Sequence, residues 1–215
     1  MSANGSMERI LDAGVVAIMR ANSPDQLLGA ATAVLAGGVV AIEVTMTTPG
    51  ALDVVRQATS QFGREVLFGV GSVLDPETAR AAILAGAQFV VCPTFKTATI
   101  ETCKRYSIPV VPGAYTPTEI LSAWEAGANA VKVFPANAGG PSYIKAIRGP
   151  LPQVLLSAVG GVTVDNAADF IRAGVAFVGV GGELVSQKLL DAGDFAEITK
   201  RARGFRLQVE KGRSG

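Results

Sequence analysis

The stretch from Val66 to Pro93 reads VLFGVGSVLDPETARAAILAGAQFVVCP and contains one complete strand–helix–strand unit. Its two ends, Val66–Ser72 and Phe89–Pro93, are apolar runs without strict polar alternation, which is typical of parallel strands buried on both faces. Asp75-Pro76 supplies a capping side chain followed by proline at the first helical position. Ala85-Gly86 ends the helix with a glycine where left-handed backbone is favoured. The stretch therefore predicts a βαβ unit of a parallel sheet.

The same unit recurs along the chain. Eight apolar runs occur, at Val15–Arg20, Val39–Thr45, Val66–Ser72, Phe89–Pro93, Val110–Ala114, Ala130–Pro135, Leu155–Gly161 and Phe177–Gly182. The other start signals are Ser23-Pro24, Thr48-Pro49 and Thr116-Pro117, and the other stop signals are Ala36-Gly37, Ala126-Gly127 and Ala173-Gly174. Eight strand–helix units in one domain predict an α/β fold of the (β/α)8 TIM-barrel type. A doubly wound open sheet is the alternative, although no GxGxxG motif follows the first strand.

Length and composition limit both the organisation of the chain and its partners. The 215 residues suit one domain, and we expect a flexible leader over residues 1–7 and a barrel with a C-terminal helix over residues 8–215. The net charge of +1 gives no electrostatic reason to bind nucleic acid or an anionic membrane. No apolar run reaches the roughly 18–20 residues of a membrane helix, and the first residues lack a signal-peptide pattern. We therefore expect a cytoplasmic protein without nucleic-acid or membrane partners.

The residue inventory excludes several kinds of catalytic site. The chain has no histidine, which excludes Ser-His-Asp and Cys-His catalysis and histidine-ligated zinc. Its two cysteines, Cys92 and Cys103, are too few for a disulfide framework or a four-thiolate metal site. We expect them to be reduced, buried thiols, and we predict no metal and no cofactor.

Two charged residues are predicted to point into the barrel. In VVAIEVT (39–45) the period of two turns Glu43 to the inner face, and in AVKVFP (130–135) it turns Lys132 and Phe134 inward. A buried structural ion pair is the simpler interpretation, but burying two charges stabilises little relative to apolar packing. A desolvated lysine amine is instead a nucleophile for carbonyl carbon and forms a Schiff base. Glu43 is then the candidate that moves protons.

Two glycine pairs suggest where the rest of a ligand binds. Gly160-Gly161 ends the seventh predicted strand, and Gly181-Gly182 ends the eighth. TIM barrels often bind phosphate at these two loops through exposed backbone N–H groups. Plain tight turns are the alternative for each pair.

Six stretches resemble the class I 2-keto-3-deoxy-6-phosphogluconate (KDPG) and 4-hydroxy-2-oxoglutarate (KHG) aldolase family. They are AGGVVAIEVTMTTPGA (36–51), GVGSVLDPETARAAILAGAQFVVCP (69–93), VVPGAYTPTEILSAWEAGA (110–128), VKVFPA (131–136), GPSYIKAIRGPLP (140–152) and AVGGVTVDN (158–166). The resemblance runs from Val15 to about Val185. It implies a (β/α)8 barrel, typically a homotrimer that needs no metal. It also implies cleavage of a 2-keto-3-deoxy-6-phospho sugar acid to pyruvate and glyceraldehyde 3-phosphate.

The resemblance also implies roles for single residues. Lys132 matches the Schiff-base lysine of the family, Glu43 matches its acid/base, and Phe134 and Pro93 match pocket walls near the pyruvyl group.

Several positions depart from the common family pattern. Thr47 stands where many members have a carboxylate-binding arginine, and we predict that Arg20 takes over that task, assisted by Thr45, Thr47 and Ser72. Ser72 stands where threonine is frequent. Gly182 stands where a phosphate-binding serine is common, which leaves backbone donors at that position.

A further departure, Val159, concerns the substrate. It precedes Gly160-Gly161 where most members have threonine, and it resembles the branch that acts on the galactonate epimer. The gluconate epimer, the galactonate epimer and 4-hydroxy-2-oxoglutarate all remain open as the main substrate. A phosphosugar isomerase using Glu43 as its base and a non-catalytic scaffold are the alternatives from other classes.

Overall fold

The computed structural model describes residues 3–20 and 22–215 and contains a parallel sheet. Its strands are β1 (Val15–Met19), β2 (Ala41–Thr45), β3 (Leu67–Gly71), β4 (Val90–Val91), β5 (Val110–Val111), β6 (Gly113–Ala114), β7 (Val131–Val133), β8 (Leu156–Val159) and β9 (Phe177–Val180). The strand order is β5-β4-β3-β2-β1-β9-β8-β7-β6, and every pairing is parallel. Valine, isoleucine and alanine dominate these strands because both faces are buried.

The sheet closes on itself at Pro112. Only this residue separates β5 from β6, so the two ends of the strand order belong to one run of chain, and the predicted fifth strand appears as two short strands. Proline has no N–H to donate to a ladder. Its carbonyl still accepts the N–H of Lys132 at 2.8 Å, which joins the run to β7. The chain is therefore a single α/β domain with a nearly closed parallel barrel, which confirms the predicted fold.

Helices surround the barrel and connect its strands. They are α1 (Ala3–Ala13), α2 (Pro24–Ala36), α3 (Ala51–Phe62), α4 (Pro76–Leu84), α5 (Thr97–Arg105), α6 (Pro117–Glu125), α7 (Gly140–Arg148), α8 (Ala167–Arg172), α9 (Gln187–Ala192) and α10 (Phe195–Arg213). A short 3-10 helix spans Ala136–Ala138. The main hydrophobic core lies between these helices and the outer faces of the strands.

Most of the predicted helix signals are confirmed. The side chains of Ser23, Asp75 and Thr116 cap α2, α4 and α6, and each is followed by proline. The prediction for Thr48-Pro49 is wrong. There the chain first makes a tight turn, in which the Thr48 N–H donates to the Thr45 carbonyl, and α3 begins at Ala51 after left-handed Gly50.

The stop signals are confirmed with one shift. Gly86, Gly127 and Gly174 have φ values of 100°, 95° and 107°, in the left-handed region. At the end of α2 the left-handed residue is Gly38, with a φ of 86°, rather than Gly37, with a φ of −85°.

Helix α1 covers the amino-terminal end of the barrel. Met7 and Ile10, with 6% and 1% of their surface exposed, pack among residues that point into the barrel from the first halves of the strands, such as Val16 and Phe89. Residues 3–7 are thus helical, whereas the sequence predicted a flexible leader over residues 1–7; residues 1 and 2 lie outside the described residues. None of the helices in the described part of the chain is long and apolar enough to span a membrane.

Candidate active site

Glu43 and Lys132 enter the barrel from opposite walls. Strands β1, β9 and β8 separate β2 from β7 on one side, and β3, β4 and the β5–β6 run separate them on the other. Both side chains point inward, as predicted, and only 3% of Glu43 and 6% of Lys132 is exposed. They line the same narrow space of about 10 Å³, whose other walls are mostly apolar. We call this space the inner chamber.

The Glu43 carboxylate lies against the backbone of the neighbouring strand. An added Cβ at Gly71 would lie 1.7 Å from Glu43 Oε1, so only glycine leaves room for the carboxylate at this position. Burial is the main cause of the raised pKa of Glu43, and the nearby charges of Lys132 and Arg20 lower it by less. A carboxyl group that is held in this way accepts and returns a proton more easily than one on the surface.

Lys132 contacts the aromatic residue that follows it on the inner face. Its Nζ lies 4.7 Å from the centroid of the Phe134 ring, within cation–π distance. The Phe134 N–H donates to the Ala114 carbonyl at 3.2 Å, which holds this residue at the rim of the barrel. Phe134 is 39% exposed, so the lysine lies directly beneath an accessible surface.

A larger cavity opens above this pair, at the carboxyl ends of β1, β8 and β9. It has a volume of about 220 Å³, and we call it the upper cavity. Seven of the predicted site residues line it: Arg20, Phe134, Val159, Gly160, Gly161, Gly181 and Gly182. The structure therefore brings the single candidate cation Arg20 and both glycine pairs to one cavity directly above the buried lysine.

The first glycine pair has a backbone conformation that other residues do not adopt easily. Gly160 and Gly161 have φ values of 95° and 69°, and a Cβ at Gly161 would lie 2.4 Å from Cβ of Asn137. The Asn166 amide fixes the loop, since it donates to the Gly161 carbonyl at 2.9 Å and accepts the Thr163 N–H at 2.9 Å. The turn is thus rigid, and it faces the upper cavity.

Four other predicted site residues line neither this cavity nor the inner chamber. In the described part of the chain, Thr45, Thr47 and Ser72 belong neither to the walls of the inner chamber nor to those of the upper cavity. The hydroxyls of Thr45 and Thr47 bond each other at 2.9 Å, and Ser72 has a left-handed φ of 59°. Pro93 lines a separate cavity of about 310 Å³ on the other side of Phe134. The predicted contacts of these residues with a carboxylate or pyruvyl group stay predictions.

Neither cysteine is suited to nucleophilic chemistry. Cys92 and Cys103 are free and buried, and desolvation raises the pKa of each thiol to about 12. Glu43 raises the pKa of Cys92 further and Lys132 lowers it, which places this thiol near the charged pair. Both thiols are therefore protonated at neutral pH and do not compete with Lys132 as nucleophiles.

Sequence reasoning missed one polar residue of the interior. Ser157 on β8 is fully buried, lies beside Lys132 in the strand register and lines the inner chamber. The period of two that turns Val159 inward also turns Ser157 inward, but a single serine in an apolar run is only a weak signal.

Comparison with known proteins identifies one family. A family profile, KDPG and KHG aldolase, matches residues 7–201. Among curated proteins, the 2-dehydro-3-deoxy-6-phosphogalactonate aldolase of Escherichia coli K12 is 39% identical over 171 residues, which cover 79% of this chain and 83% of that protein.

Solved structures agree in fold. The native KDPGal structure has a TM-score of 0.86 and 33% identity, and the match covers 94% of this chain and 96% of that one. The KDPG aldolase of Legionella pneumophila, with pyruvate captured as a covalent carbinolamine intermediate, also has a TM-score of 0.86, at 29% identity. That match covers 92% of this chain and 96% of the Legionella chain.

Proposed function

Because the chain belongs to the KDPG and KHG aldolase family, we propose that it cleaves a 2-keto-3-deoxy-6-phospho sugar acid through a Schiff base on Lys132. The chain is a class I aldolase, a carbon–carbon lyase. One observation carries the assignment of the nucleophile. Lys132 is the one buried lysine among the described residues, and it faces Glu43 inside an apolar barrel beneath an open cavity.

The proposed mechanism uses these two side chains. The Lys132 amine attacks the C2 ketone, and loss of water gives a protonated imine. This cation accepts the electron pair when the C3–C4 bond breaks, while Glu43 removes the proton of the C4 hydroxyl, with a water as intermediary. Glyceraldehyde 3-phosphate leaves, the enamine takes a proton at C3, and hydrolysis of the imine releases pyruvate and restores the lysine.

The two ends of the substrate require different partners. Arg20 lies close enough to Glu43 to lower its pKa, so its guanidinium can meet the carboxylate beside the reacting carbon. The glycine loops at the ends of β8 and β9 offer backbone N–H groups for the phosphate. We therefore place the keto-acid end at Lys132 and Arg20 and the phosphate end at Gly160-Gly161 and Gly181-Gly182.

Reductive trapping tests the nucleophile. We expect pyruvate and borohydride to give a covalent adduct on Lys132 that peptide mass spectrometry locates, and Lys132→Ala to lose both the adduct and turnover. Lys145, which is exposed on α7, is the internal control and should stay unmodified. An adduct on Lys145 would refute the assignment. An isomerase would form no imine, and a scaffold would neither form one nor release pyruvate.

Two observations favour the galactonate epimer as the main substrate. Val159 lines both the inner chamber and the upper cavity, so this part of the site offers the substrate an apolar side chain where most family members offer a hydroxyl. The E. coli relative at 39% identity is a galactonate-epimer aldolase. The gluconate epimer and 4-hydroxy-2-oxoglutarate are the competing substrates in the test.

A two-by-two comparison of variants and epimers tests the placement of the substrate. Val159→Thr adds a hydroxyl near C4, so we expect it to change the gluconate-to-galactonate preference and to leave pyruvate imine formation nearly intact. Arg20→Ala should lower kcat/KM about 10- to 100-fold for both epimers, because it removes one charge-assisted hydrogen bond. If Arg20→Ala alters only the epimer ratio, or Val159→Thr weakens both epimers equally, the substrate binds in the opposite direction.

Assembly and compartment are further parts of the proposal. The family resemblance supports a homotrimer, which light scattering coupled to size-exclusion chromatography measures directly. The two free thiols, Cys92 and Cys103, support a reducing compartment such as the cytoplasm.

A further inference from the structure

The inner chamber contains one polar group that the proposed mechanism does not use. Among the described residues, its walls are apolar except for Glu43, Lys132 and Ser157. Ser157 is fully buried, and its Oγ has no hydrogen-bond partner among the described protein groups. A buried hydroxyl that makes no hydrogen bond costs free energy, so apolar packing alone does not account for a serine here.

The strand register places this hydroxyl next to the reacting amine. Lys132 on β7 and Ser157 on β8 are direct partners in the parallel ladder, and both point to the inner face. Neighbouring strands lie about 4.8 Å apart, so the serine hydroxyl lies beside the base of the lysine side chain. Glu43 reaches the same chamber from the opposite wall.

The size of the chamber fits one water molecule. Its volume of about 10 Å³ is close to the minimum that a single water occupies, and a buried water needs two to four polar partners. Lys132, Glu43 and Ser157 provide three. Ile10 of α1 and Phe89 also line the chamber, so buried apolar side chains border it below the upper cavity.

We propose that Ser157 is a positioning residue that holds one buried water between the Lys132 amine and the Glu43 carboxylate, and that this water carries a proton between them. The inference rests on the proposed function, since it concerns how the lysine becomes a nucleophile. An N–H bond of the lysine ammonium breaks and its proton passes to the water. The water gives another of its protons to the carboxylate, which leaves a neutral amine and a neutral acid. After the amine has attacked, the acid returns this proton to the C2 oxygen that leaves as water, so Glu43 is again a carboxylate when the C3–C4 bond breaks.

The proton route through the inner chamber becomes important when substrate is bound. A keto acid in the upper cavity covers the lysine from the solvent side, because Phe134 and Val159 border both the lysine and that cavity. The chamber stays available below. Among the described residues, Arg20 and Cys92 also lie close to the pair, and the Cys92 thiol is protonated with a pKa of about 12.

The rate of imine formation with pyruvate, measured by rapid mixing and borohydride quench from pH 5 to 9, tests this role. We compare wild type, Ser157→Ala and Ser157→Cys. Cysteine keeps the shape of serine but is a weak hydrogen-bonding group, so it separates hydrogen bonding from packing. Both variants should form the imine about 10-fold more slowly at pH 7, the effect of one lost hydrogen bond, and should recover as the pH rises and hydroxide replaces the internal route.

A matched control is a buried hydroxyl on one of the helices that surround the barrel. Thr99 on α5 is the other fully buried hydroxyl without a partner among the described residues, and Thr99→Val removes only that hydroxyl. It should leave both the rate and the pH profile as in wild type. A crystal structure of the wild type should show an ordered water within hydrogen-bond distance of Ser157 Oγ, which Ser157→Ala should lose.

Three results would overturn the inference. The first is a wild-type rate and pH profile in both serine variants. The second is a slow alanine variant with a normal cysteine variant, which assigns the serine to packing. The third is the absence of the ordered water. Failure of the wild type to form any pyruvate adduct is a different result, and it overturns the proposed function itself.

Discussion

At the scale of single residues, the position of the Glu43 carboxylate depends on the side chain that Gly71 lacks. A methyl group there would lie 1.7 Å from Oε1 and 2.3 Å from Cδ of Glu43. Because β2 and β3 are held in register, the carboxylate and not the backbone must move. We expect Gly71→Ala to lower aldol cleavage by about 100-fold or more, within the range of lost acid–base catalysis. Pyruvate trapping on Lys132 should still occur, but more slowly, because the displaced carboxylate also takes the lysine proton.

Two further variants make the Gly71→Ala result specific. Gly149→Ala, where the new Cβ would make an ordinary 3.4 Å contact, should keep normal turnover. Adding Glu43→Asp to Gly71→Ala shortens the acid by one carbon, so the double variant should be at least as active as Gly71→Ala alone. A fully active Gly71→Ala would show that the carboxylate is not held by this contact.

The buried carboxylate also predicts a dependence of stability on pH. Burial raises the folded-state pKa of Glu43 above its ordinary value of 4.5, and Lys132 and Arg20 lower it by less. Protonated Glu43 therefore stabilises the folded state. This contribution is fully present below pH 4.5 and is lost as the pH rises through the folded-state pKa. Ionised Glu43 therefore costs stability at neutral pH. Glu43→Gln should raise Tm at pH 8, and this gain should shrink as the pH falls towards 4.5. An equal gain in Tm at pH 8 and at pH 4.5 would contradict the raised pKa of Glu43.

The central pair of the site could be predicted from the sequence, and much of its surroundings could not. A period of two inside a short apolar run is enough to turn Glu43 and Lys132 inward. Ser157 obeys the same rule, but one small hydroxyl in an apolar run carries little signal. The placement of Thr47 and Ser72 depends on loop geometry after the strands, where hydrogen bonds between neighbouring hydroxyls and left-handed backbone decide the direction of each side chain.

At the scale of elements, the sequence predicts where helices begin and end better than it predicts whether a strand is continuous. Asp75 and Thr116 cap their helices because a short polar side chain reaches the N–H groups of the first turn. Thr48-Pro49 has the same composition, but its residues form a turn that bonds back to Thr45. Pro112 splits the fifth apolar run because proline has no N–H to donate to a strand ladder. The sequence pattern alone does not show that the first half, β5, pairs with β4 and the second half, β6, pairs with β7.

The cap of α6 gives a prediction at this scale. Thr116 Oγ1 accepts the Glu119 N–H at 3.3 Å, and the Glu119 carboxylate accepts the Thr116 N–H at 2.8 Å, forming a complete capping box. Thr116→Ala should lower the free energy of unfolding by about 1 kcal/mol in urea denaturation. Thr116→Ser keeps the hydroxyl oxygen, so it should lower the free energy of unfolding much less. Equal losses in the two variants would assign the effect to the methyl group.

At the scale of the whole molecule, the barrel has one open end and one closed end. Helix α1 closes the amino-terminal end with Met7 and Ile10, and the upper cavity opens at the carboxyl ends of the strands. The sequence did not predict this helix, because an 11-residue segment is too short to be stable by propensity alone. Its stability comes from packing against the barrel, which a local pattern does not reveal.

Ile10 links this closed end to the chemistry. It is 1% exposed and lines the inner chamber together with Glu43 and Lys132. Ile10→Ala should lower the free energy of unfolding by about 2–5 kcal/mol, since it opens a cavity in a packed interior. The wider chamber should also hydrate Glu43 and bring its pKa back towards the ordinary value, so the acid limb of the kcat profile should move to lower pH. Glu8→Ala changes an exposed residue of the same helix and should leave both measurements unaltered. A destabilised Ile10→Ala with an unmoved acid limb would mean that α1 supports the fold without setting the environment of the carboxylate.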